Sequence, residues 1–221
     1  MIDKQWSSFA DAVADVFPGA RILVSGFGDA GLPFGLLHAL ATTGVSGLTV
    51  VSNNAGTGDD GIEELIRNRQ VAKLICSYPR SVDPNWFEKR YLEGSIELEL
   101  VPQGTLSERI RAGGAGIAAF YVRTGVGTDF AAGKETREFH GHDWLLEQAI
   151  VADFALVRAY RCDRWGNATY RKSARNFGPT MVAAAKVSIV EAEEIVPLGT
   201  LDPEEIVTPG IYVDRVVVDA A

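Results

Sequence analysis

Short apolar segments rich in β-branched residues alternate with helix-length segments along the first half of the chain. This alternation limits the possible folds more than any other feature of the sequence. The predicted strands are residues 21–24, 48–51, 73–76, 96–100 and 117–121, and helical patterns at 9–16 and 106–112 precede the first and the last of them. A β/α repeat of this kind builds a mostly parallel sheet flanked by helices on both faces, so we predict an α/β fold.

The second half of the chain departs from the repeat. A stretch rich in Gly and Thr at 124–136 is followed by a hairpin pattern at 136–146, whose turn is His140-Gly141-His142. We therefore predict one domain over residues 1–221, with a repeating β/α part at 1–122 and a smaller β-rich, hairpin-containing part at 123–221. The other predicted elements of the second part are strands at 154–160, 168–170, 187–190 and 211–218, a turn at 163–167 and a helix at 181–185.

Composition excludes several classes of partner. The formal net charge of −8 repels nucleic acid and anionic membrane surfaces, so we expect neither as a partner. No segment approaches the ~20 consecutive apolar residues of a membrane span, and the N-terminus lacks the basic and apolar regions of a signal peptide. Cys76 and Cys162 are far apart and suit free thiols in a reducing compartment. We therefore expect a cytoplasmic protein.

The loop after the first predicted strand contains Gly-x-Gly-x-x-Gly, spread over Gly26, Gly28 and Gly31. In this context the pattern is typical of dinucleotide binding, but that function also needs an acidic residue after the second strand. The sequence has Ser52 there, followed by Asn53. The glycines still allow close approach of a ligand, and free amides at the start of the next helix favour an anion such as a phosphate. The alternative is that the glycines only shape a tight turn.

Carboxamide side chains follow two other predicted strands. Asn53 and Asn54 come after the second strand, and Gln103 comes after the fourth, shortly before Thr105, a candidate helix cap. Because the carboxyl ends of parallel strands gather at one edge of a sheet, these side chains are candidate hydrogen-bond donors to an oxyanion. The alternative for the two asparagines is a structural turn.

Two other patterns do not indicate a site. Residues 127–135 resemble a phosphate-binding loop, but the spacing is one residue too long and Glu135 replaces the Ser or Thr that binds Mg²⁺. His140 and His142 lack a third ligand and are better explained by a hairpin tip, so we predict no metal.

Seven segments in order resemble the A-type subunit of the 3-oxoacid CoA-transferases, between about Ala20 and Val218. The first matches the family signature Gly-Gly-Phe-x-x-x-Gly-x-Pro except that Ser25 replaces the first glycine. Pro18 replaces an Asx before the strand, and Arg123 replaces a proline in a later segment. The seven segments are residues 25–33, 52–56, 101–106, 109–116, 133–136, 173–177 and 208–211.

The resemblance implies a shared active site. In this family a glutamate of the other, B-type subunit reacts with an acyl-CoA thioester and carries CoA as a glutamyl-CoA intermediate. The chain lacks the Glu-Asn-Gly motif of that glutamate, and Glu63, Glu64 and Glu93 are expected to be surface charges. The resemblance therefore implies a hetero-oligomer with a B-type CoA-transferase subunit, no nucleophile in this chain, and a CoA thioester as substrate rather than a permanent cofactor.

The resemblance also implies roles for individual residues. It places Asn53, Asn54 and Gln103 in the acid-binding pocket. It assigns CoA binding to the first loop, which consists of Ser25, Gly26, Phe27, Gly28, Asp29, Ala30 and Gly31.

Two segments, 76–81 and 163–167, look closer to family members that act on 3-oxoadipate than to those that act on acetoacetate. Succinyl-CoA is then the expected CoA donor. A dicarboxylate acceptor has a second anionic end, which a guanidinium can bind with two hydrogen bonds. Arg80 is the candidate for this role, and the alternatives are a surface arginine and an enzyme that uses acetoacetate.

Overall fold

The computed structural model describes residues 2–80 and 84–218. Its strands are β1 (Arg21–Val24), β2 (Leu48–Val51), β3 (Val71–Cys76), β4 (Glu97–Leu100), β5 (Ala119–Val122), β6 (Thr136–Phe139), β7 (His142–Gln148), β8 (Ala152–Asp163), β9 (Ala168–Thr169), β10 (Ala185–Val196) and β11 (Arg215–Val218). Its α-helices are α1 (Phe9–Ala12), α2 (Phe34–Thr43), α3 (Ile62–Arg67), α4 (Trp86–Leu92), α5 (Gln103–Gly114) and α6 (Gly178–Ala183).

The larger sheet contains strands from both halves of the chain. Its order is β11-β10-β8-β1-β2-β3-β4, with every pair along this path parallel, and β9 pairs antiparallel with the end of β8. The predicted α/β fold with a mostly parallel sheet is confirmed. Strand β1 lies in the middle of this sheet, between β2 and β8. Strand β8 comes from the second part of the chain.

Helices cover both faces of this sheet, as predicted. Alternate residues of the strands point to opposite faces. On one face, Ile22 and Val50 pack with residues of α1, α2 and α3. On the other face, Leu23 and Val51 pack with residues of α5 and α6. The result is a three-layer arrangement whose central strands are buried on both sides.

A separate antiparallel sheet has the order β5-β7-β6. The predicted hairpin is confirmed, since β6 and β7 pair directly and His140 and Gly141 have positive φ values of 52° and 73°. The segment predicted at 117–121 as a continuation of the β/α repeat instead pairs with β7, with Tyr121 opposite Leu146.

Several predicted boundaries differ from the structure. The helix predicted at 9–16 ends at Ala12, and turns lead from there to Pro18, whose ring disfavours helical backbone in the residue before it. Thr105 is not a cap, because α5 already begins at Gln103. The strand predicted at 211–218 is shorter, because Gly210–Tyr212 forms a 3-10 helix before β11.

Both cysteines are buried free thiols, as the sequence predicts. Within the described part of the chain, no helix has the length and apolar character needed to cross a membrane.

Candidate active site

An open cavity of about 650 Å³ lies where β1, β2 and β3 end. Parallel pairing aligns these three strands, so the loops that follow them meet at one edge of the sheet. Six of the residues that the sequence analysis assigned to acid or CoA binding line this cavity: Phe27, Gly28, Asn53, Asn54, Arg80 and Gln103. Its lining consists of Phe27, Gly28, Asn53, Asn54, Gly56, Thr57, Ser77, Tyr78, Arg80 and Gln103.

Asn53 lies at the base of this cavity and is only 5% exposed. Its Oδ1 accepts hydrogen bonds from Gln103 Nε2 and from Ser77 Oγ, both at 2.7 Å. These bonds fix the orientation of the carboxamide. Within residues 2–80 and 84–218, its Nδ2 donates to no other group, so it is available to a ligand oxygen. Sequence reasoning did not single out Ser77, although it lies in a segment that carries the family resemblance.

The sequence allowed Asn54 to be either a structural turn residue or a residue of the site, and the structure shows it in a turn that lines the cavity. Its Oδ1 accepts a hydrogen bond from Gly56 N at 3.1 Å, and its carbonyl oxygen accepts one from Ser52 Oγ, so it forms the predicted turn. The same residue also lines the cavity.

Arg80 is exposed and lies at the border of two cavities. The second cavity, of about 410 Å³, contains Phe87, Tyr91 and Leu98. Arg80 forms no ion pair with any residue in the ranges that the structure describes. Its exposed guanidinium can therefore meet an anion at either cavity. The predicted segment 76–81 ends at Ser81, which lies outside the described residues.

The glycine-rich loop is held in shape by side chains. Ser25 is fully buried, and its Oγ donates to Gly31 O at 2.7 Å and accepts from Arg158 N at 3.0 Å. Its side chain therefore shapes the loop and is not exposed to a ligand. Of the predicted CoA-binding residues, Phe27 and Gly28 line the cavity, whereas Ser25, Gly26, Asp29, Ala30 and Gly31 do not.

Asn176, from a distant part of the chain, fixes the same loop. Its Oδ1 accepts from Gly26 N at 3.0 Å, and its Nδ2 donates to Ala30 O at 3.0 Å. Sequence reasoning noted Asn176 only within a matching segment and assigned it no role. The two polar ends of one side chain thus hold both sides of the loop.

At the start of α2, where the sequence suggested free amides, the amide of Leu36 is already engaged. Leu36 N donates to Glu191 Oε2 at 3.0 Å, and Glu191 is 1% exposed. The other oxygen of Glu191 pairs with Arg158. An internal carboxylate therefore already occupies the position where a ligand phosphate was expected.

One expectation about the glutamates is wrong. Glu63 is not a surface charge, because it is fully buried and its Oε2 accepts a hydrogen bond from Phe87 N at 3.2 Å. Glu93 is exposed and pairs with Arg69 and Arg90, as expected of a surface residue. Glu64 is largely covered and lies 3.7 Å from Arg67.

Among the described residues that line the cavity, none is acidic. The neighbouring Cys76 is also unsuited to nucleophilic attack, because burial raises the pKa of its thiol to about 12. The described lining of the cavity thus presents neutral donors and one cation.

Fold and site together define an α/β protein whose parallel sheet carries, at its carboxyl edge, a cavity lined by carboxamides and one arginine. The sequence matches the model of the family described as Coenzyme A transferase over residues 6–219, and the chain belongs to this family. The alternative of a nicotinamide-dependent oxidoreductase is not supported, since Ser52 rather than a carboxylate follows β2.

Two relatives and one solved structure illustrate the similarity. The chain is 52% identical to the A-type subunit of 3-oxoadipate CoA-transferase from Pseudomonas putida, over 98% of this chain and 94% of that protein. It is 51% identical to the A-type subunit of succinyl-CoA:3-ketoacid coenzyme A transferase from Xanthomonas campestris pv. campestris, over 97% of this chain and 86% of that protein. Its fold is similar to that of glutaconate coenzyme A-transferase from Acidaminococcus fermentans, with a TM-score of 0.85, 21% identity, and coverage of 97% of this chain and 75% of that one.

Proposed function

We propose that this chain is the substrate-positioning subunit of a two-subunit enzyme that transfers CoA from succinyl-CoA to a 3-oxo acid, with 3-oxoadipate as the favoured acceptor. The names of the two relatives support this proposal, since one belongs to a 3-oxoadipate and the other to a succinyl-CoA:3-ketoacid transferase. The observation that carries it is the buried Asn53 carboxamide, oriented by Gln103 and Ser77, in a cavity lined by no acidic residue that the structure describes.

In the proposed reaction, a glutamate carboxylate on the partner polypeptide attacks the thioester carbonyl of succinyl-CoA. The tetrahedral intermediate then expels the CoA thiolate and leaves an acyl anhydride on the partner. The thiolate attacks the enzyme-side carbonyl of this anhydride, which releases succinate and forms a glutamyl-CoA thioester. The same steps then run in reverse with the 3-oxo acid. Its carboxylate attacks the glutamyl-CoA thioester and displaces the CoA thiolate, which gives a second anhydride. The thiolate attacks the 3-oxoacyl carbonyl of this anhydride, which releases the 3-oxoacyl-CoA and regenerates the glutamate.

Each of these steps passes through an oxyanion that needs a donor held in place before the reaction. Asn53 Nδ2 is the donor that the cavity offers for this purpose. Gln103 and Ser77 hold the carboxamide oxygen and so act as positioning residues. Since a neutral amide adds no charge, it stabilises the developing oxyanion without binding a ground-state carboxylate as strongly as a cation would.

The shape of the site supports a partner at this edge of the sheet. Phe27 and Tyr78 line the cavity but are 53% and 60% exposed. Large aromatic side chains with such exposure are typical of surfaces that another polypeptide covers. The partner that we propose is the B-type CoA-transferase subunit, in a hetero-oligomer.

Arg80 supports a dicarboxylate acceptor, because its exposed guanidinium lies at the border of the cavity. A second candidate acceptor is acetoacetate. The name of the 51% identical relative, a succinyl-CoA:3-ketoacid transferase, supports it because acetoacetate is also a 3-keto acid. 3-Oxoadipate has an additional carboxymethyl group, and hence a second carboxylate, so an acceptor screen separates the two acids.

The test is to purify the chain alone, its partner alone and the co-expressed pair, and to assay CoA exchange between succinyl-CoA and 3-oxoadipate. We expect activity only in the pair, and trapping with hydroxylamine should locate the thioester on the partner. Full exchange by the isolated chain would contradict the proposal. Faster exchange with acetoacetate than with 3-oxoadipate would make acetoacetate the favoured acceptor, while the proposal of a shared active site would still hold.

A further inference from the structure

A short basic segment lies against the glycine-rich loop. It consists of Arg171 and the 3-10 helix Lys172–Arg175, and we call it the basic turn. The backbone oxygen of Ala174 is only 2.4 Å from the point that a Cβ on Gly31 would occupy. Asn176, the next residue, bonds to Gly26 and Ala30. The basic turn and the loop are therefore fixed relative to each other.

The cations of the basic turn are free of ion pairs within the described part of the chain. Arg171, Lys172 and Arg175 form no salt bridge with any residue in 2–80 or 84–218. By contrast, the nearby Arg158 and Arg161 pair with glutamates of β10. Acidic residues are not far away, since Asp202 and Glu205 line a cavity with Arg171, but Lys172 and Arg175 are not part of that cavity's lining.

The cations of the basic turn are accessible to a ligand, since Arg171, Lys172 and Arg175 are all exposed. Arg171 stacks over the ring of Tyr160, with its guanidinium carbon 4.8 Å from the ring centroid. Tyr160 lies in the part of β8 that extends beyond the end of β1, because Val24 pairs with Leu156. The basic turn therefore lies at the same edge of the sheet as the cavity.

The backbone has unusual φ values within the basic turn and directly after it. Lys172 has a φ of 50° and Asn176 a φ of 24°, in the region that favours glycine. Strain of this kind persists where the surrounding contacts impose it, and it concentrates at functional segments. At Asn176 these contacts include the hydrogen bonds to Gly26 and Ala30.

A CoA thioester is a polyanion, with a diphosphate and a 3′-phosphate at its nucleotide end. A chain with a net charge of −8 needs local cations to bind such a molecule. The start of α2 is already occupied by Glu191 and does not supply this function. We propose that Lys172 and Arg175, together with Arg171, form a subsite for the phosphate groups of the CoA thioester. This inference rests on the proposed function.

The experiment compares the co-expressed pair with the Lys172→Gln/Arg175→Gln double variant. The measured quantities are kcat and the KM values for succinyl-CoA, succinyl-dephospho-CoA and the 3-oxo acid. We expect the KM for succinyl-CoA to rise about tenfold, because charge-assisted hydrogen bonds to phosphate are lost, while kcat and the KM for the 3-oxo acid stay constant. A smaller rise for the dephospho thioester assigns the contact to the 3′-phosphate, and an equal rise assigns it to the diphosphate.

The matched control is Arg111→Gln/Arg137→Gln, which removes the same charge from two exposed positions that line none of the three cavities described above. Arg175→Gln alone avoids the strained position at Lys172 and should raise the same KM. An unchanged KM for succinyl-CoA in both variants, or an equal rise in the control, would overturn the phosphate subsite. If the parent pair transfers CoA from no thioester at all, the proposed function itself fails, which is a distinguishable result.

Discussion

Gln103 Nε2 donates to Asn53 Oδ1 at 2.7 Å and so connects the start of α5 to the loop after β2. Asn53 is buried at this position, whereas Gln103 is exposed at the cavity. We therefore propose different roles for the two carboxamides: Asn53 would present its amide group to the ligand, and Gln103 would orient it.

This difference predicts the relative effects of two substitutions. Asn53→Ala removes the donor, and we expect kcat to fall by about 10² or more. Gln103→Ala should cost less, about tenfold, because Ser77 Oγ still holds Asn53 Oδ1. Steady-state kinetics of the assembled enzyme measures both effects, with the exposed Asn68→Ala as a matched control. Unchanged kcat and KM in Gln103→Ala would remove Gln103 from the site.

Arg80 should determine acceptor preference rather than catalytic rate. Arg80→Met removes the exposed guanidinium that we assign to a second carboxylate. We expect kcat/KM for 3-oxoadipate to fall about tenfold or more, while kcat/KM for acetoacetate stays within about twofold. Competition between the two acceptors measures the ratio directly, and Arg111→Met is the control. A ratio equal to that of the parent enzyme would show that Arg80 does not bind the acceptor.

Local sequence patterns predicted most of the strands and the position of the cavity. The apolar alternation that specifies β1 to β4 is contained within each segment, and the loops after parallel strands necessarily gather at one edge. Asn53 and Gln103 were candidates because they closely follow such strands, whereas Arg80 was a candidate because of the resemblance of its segment. The orientation of Asn53 could not be predicted, because it depends on its hydrogen bond with Gln103, 50 residues away.

The features that sequence reasoning missed depend on long-range pairing. Asn176 is 150 residues from Gly26, and Glu191 is 155 residues from Leu36. Both contacts exist because β8 and β10 lie on one side of β1. Nothing in the first part of the sequence specifies that order. Glu63 was misassigned for a related reason, since the packing of α3 against α4 buries a helix position that looks polar in sequence.

Two glycines of the same loop should respond differently to alanine. Gly31 has a φ of 78°, and an added Cβ would lie 2.4 Å from Ala174 O and 2.5 Å from Asn176 Nδ2. Gly28 has a φ of 59°, but nothing lies within 4 Å of its added Cβ. We expect Gly28→Ala to lower the free energy of unfolding by about 1 kcal/mol, and Gly31→Ala to lower it by several times as much. Urea unfolding of both variants measures the difference, and equal effects would show that the loop is not held against residues 174–176.

The thiols should be unreactive in the folded protein. Burial raises the pKa of the Cys76 thiol to about 12, and it raises the pKa of the Cys162 thiol further. Since the thiolate is the reactive form, alkylation of Cys76 should stay slow from about pH 7 to 9. Mass spectrometry after iodoacetamide treatment should show no adduct on either cysteine in the native protein and an adduct on each after denaturation. A native Cys76 adduct that forms as fast as in the denatured chain would contradict its burial.

Glu191 and Glu193 lie on the same strand and both approach Arg158, but only Glu191 is buried. Glu191→Ala removes the acceptor of Leu36 N and the main partner of Arg158, so we expect the free energy of unfolding to fall by about 3–5 kcal/mol. Glu193→Ala removes an exposed contact at 3.6 Å and should change it by about 0.5 kcal/mol or less. Urea unfolding measures both changes in the free energy of unfolding, provided that the two variants have equal m-values. Similar losses in both variants would show that the carboxylate at the start of α2 does not stabilise the fold.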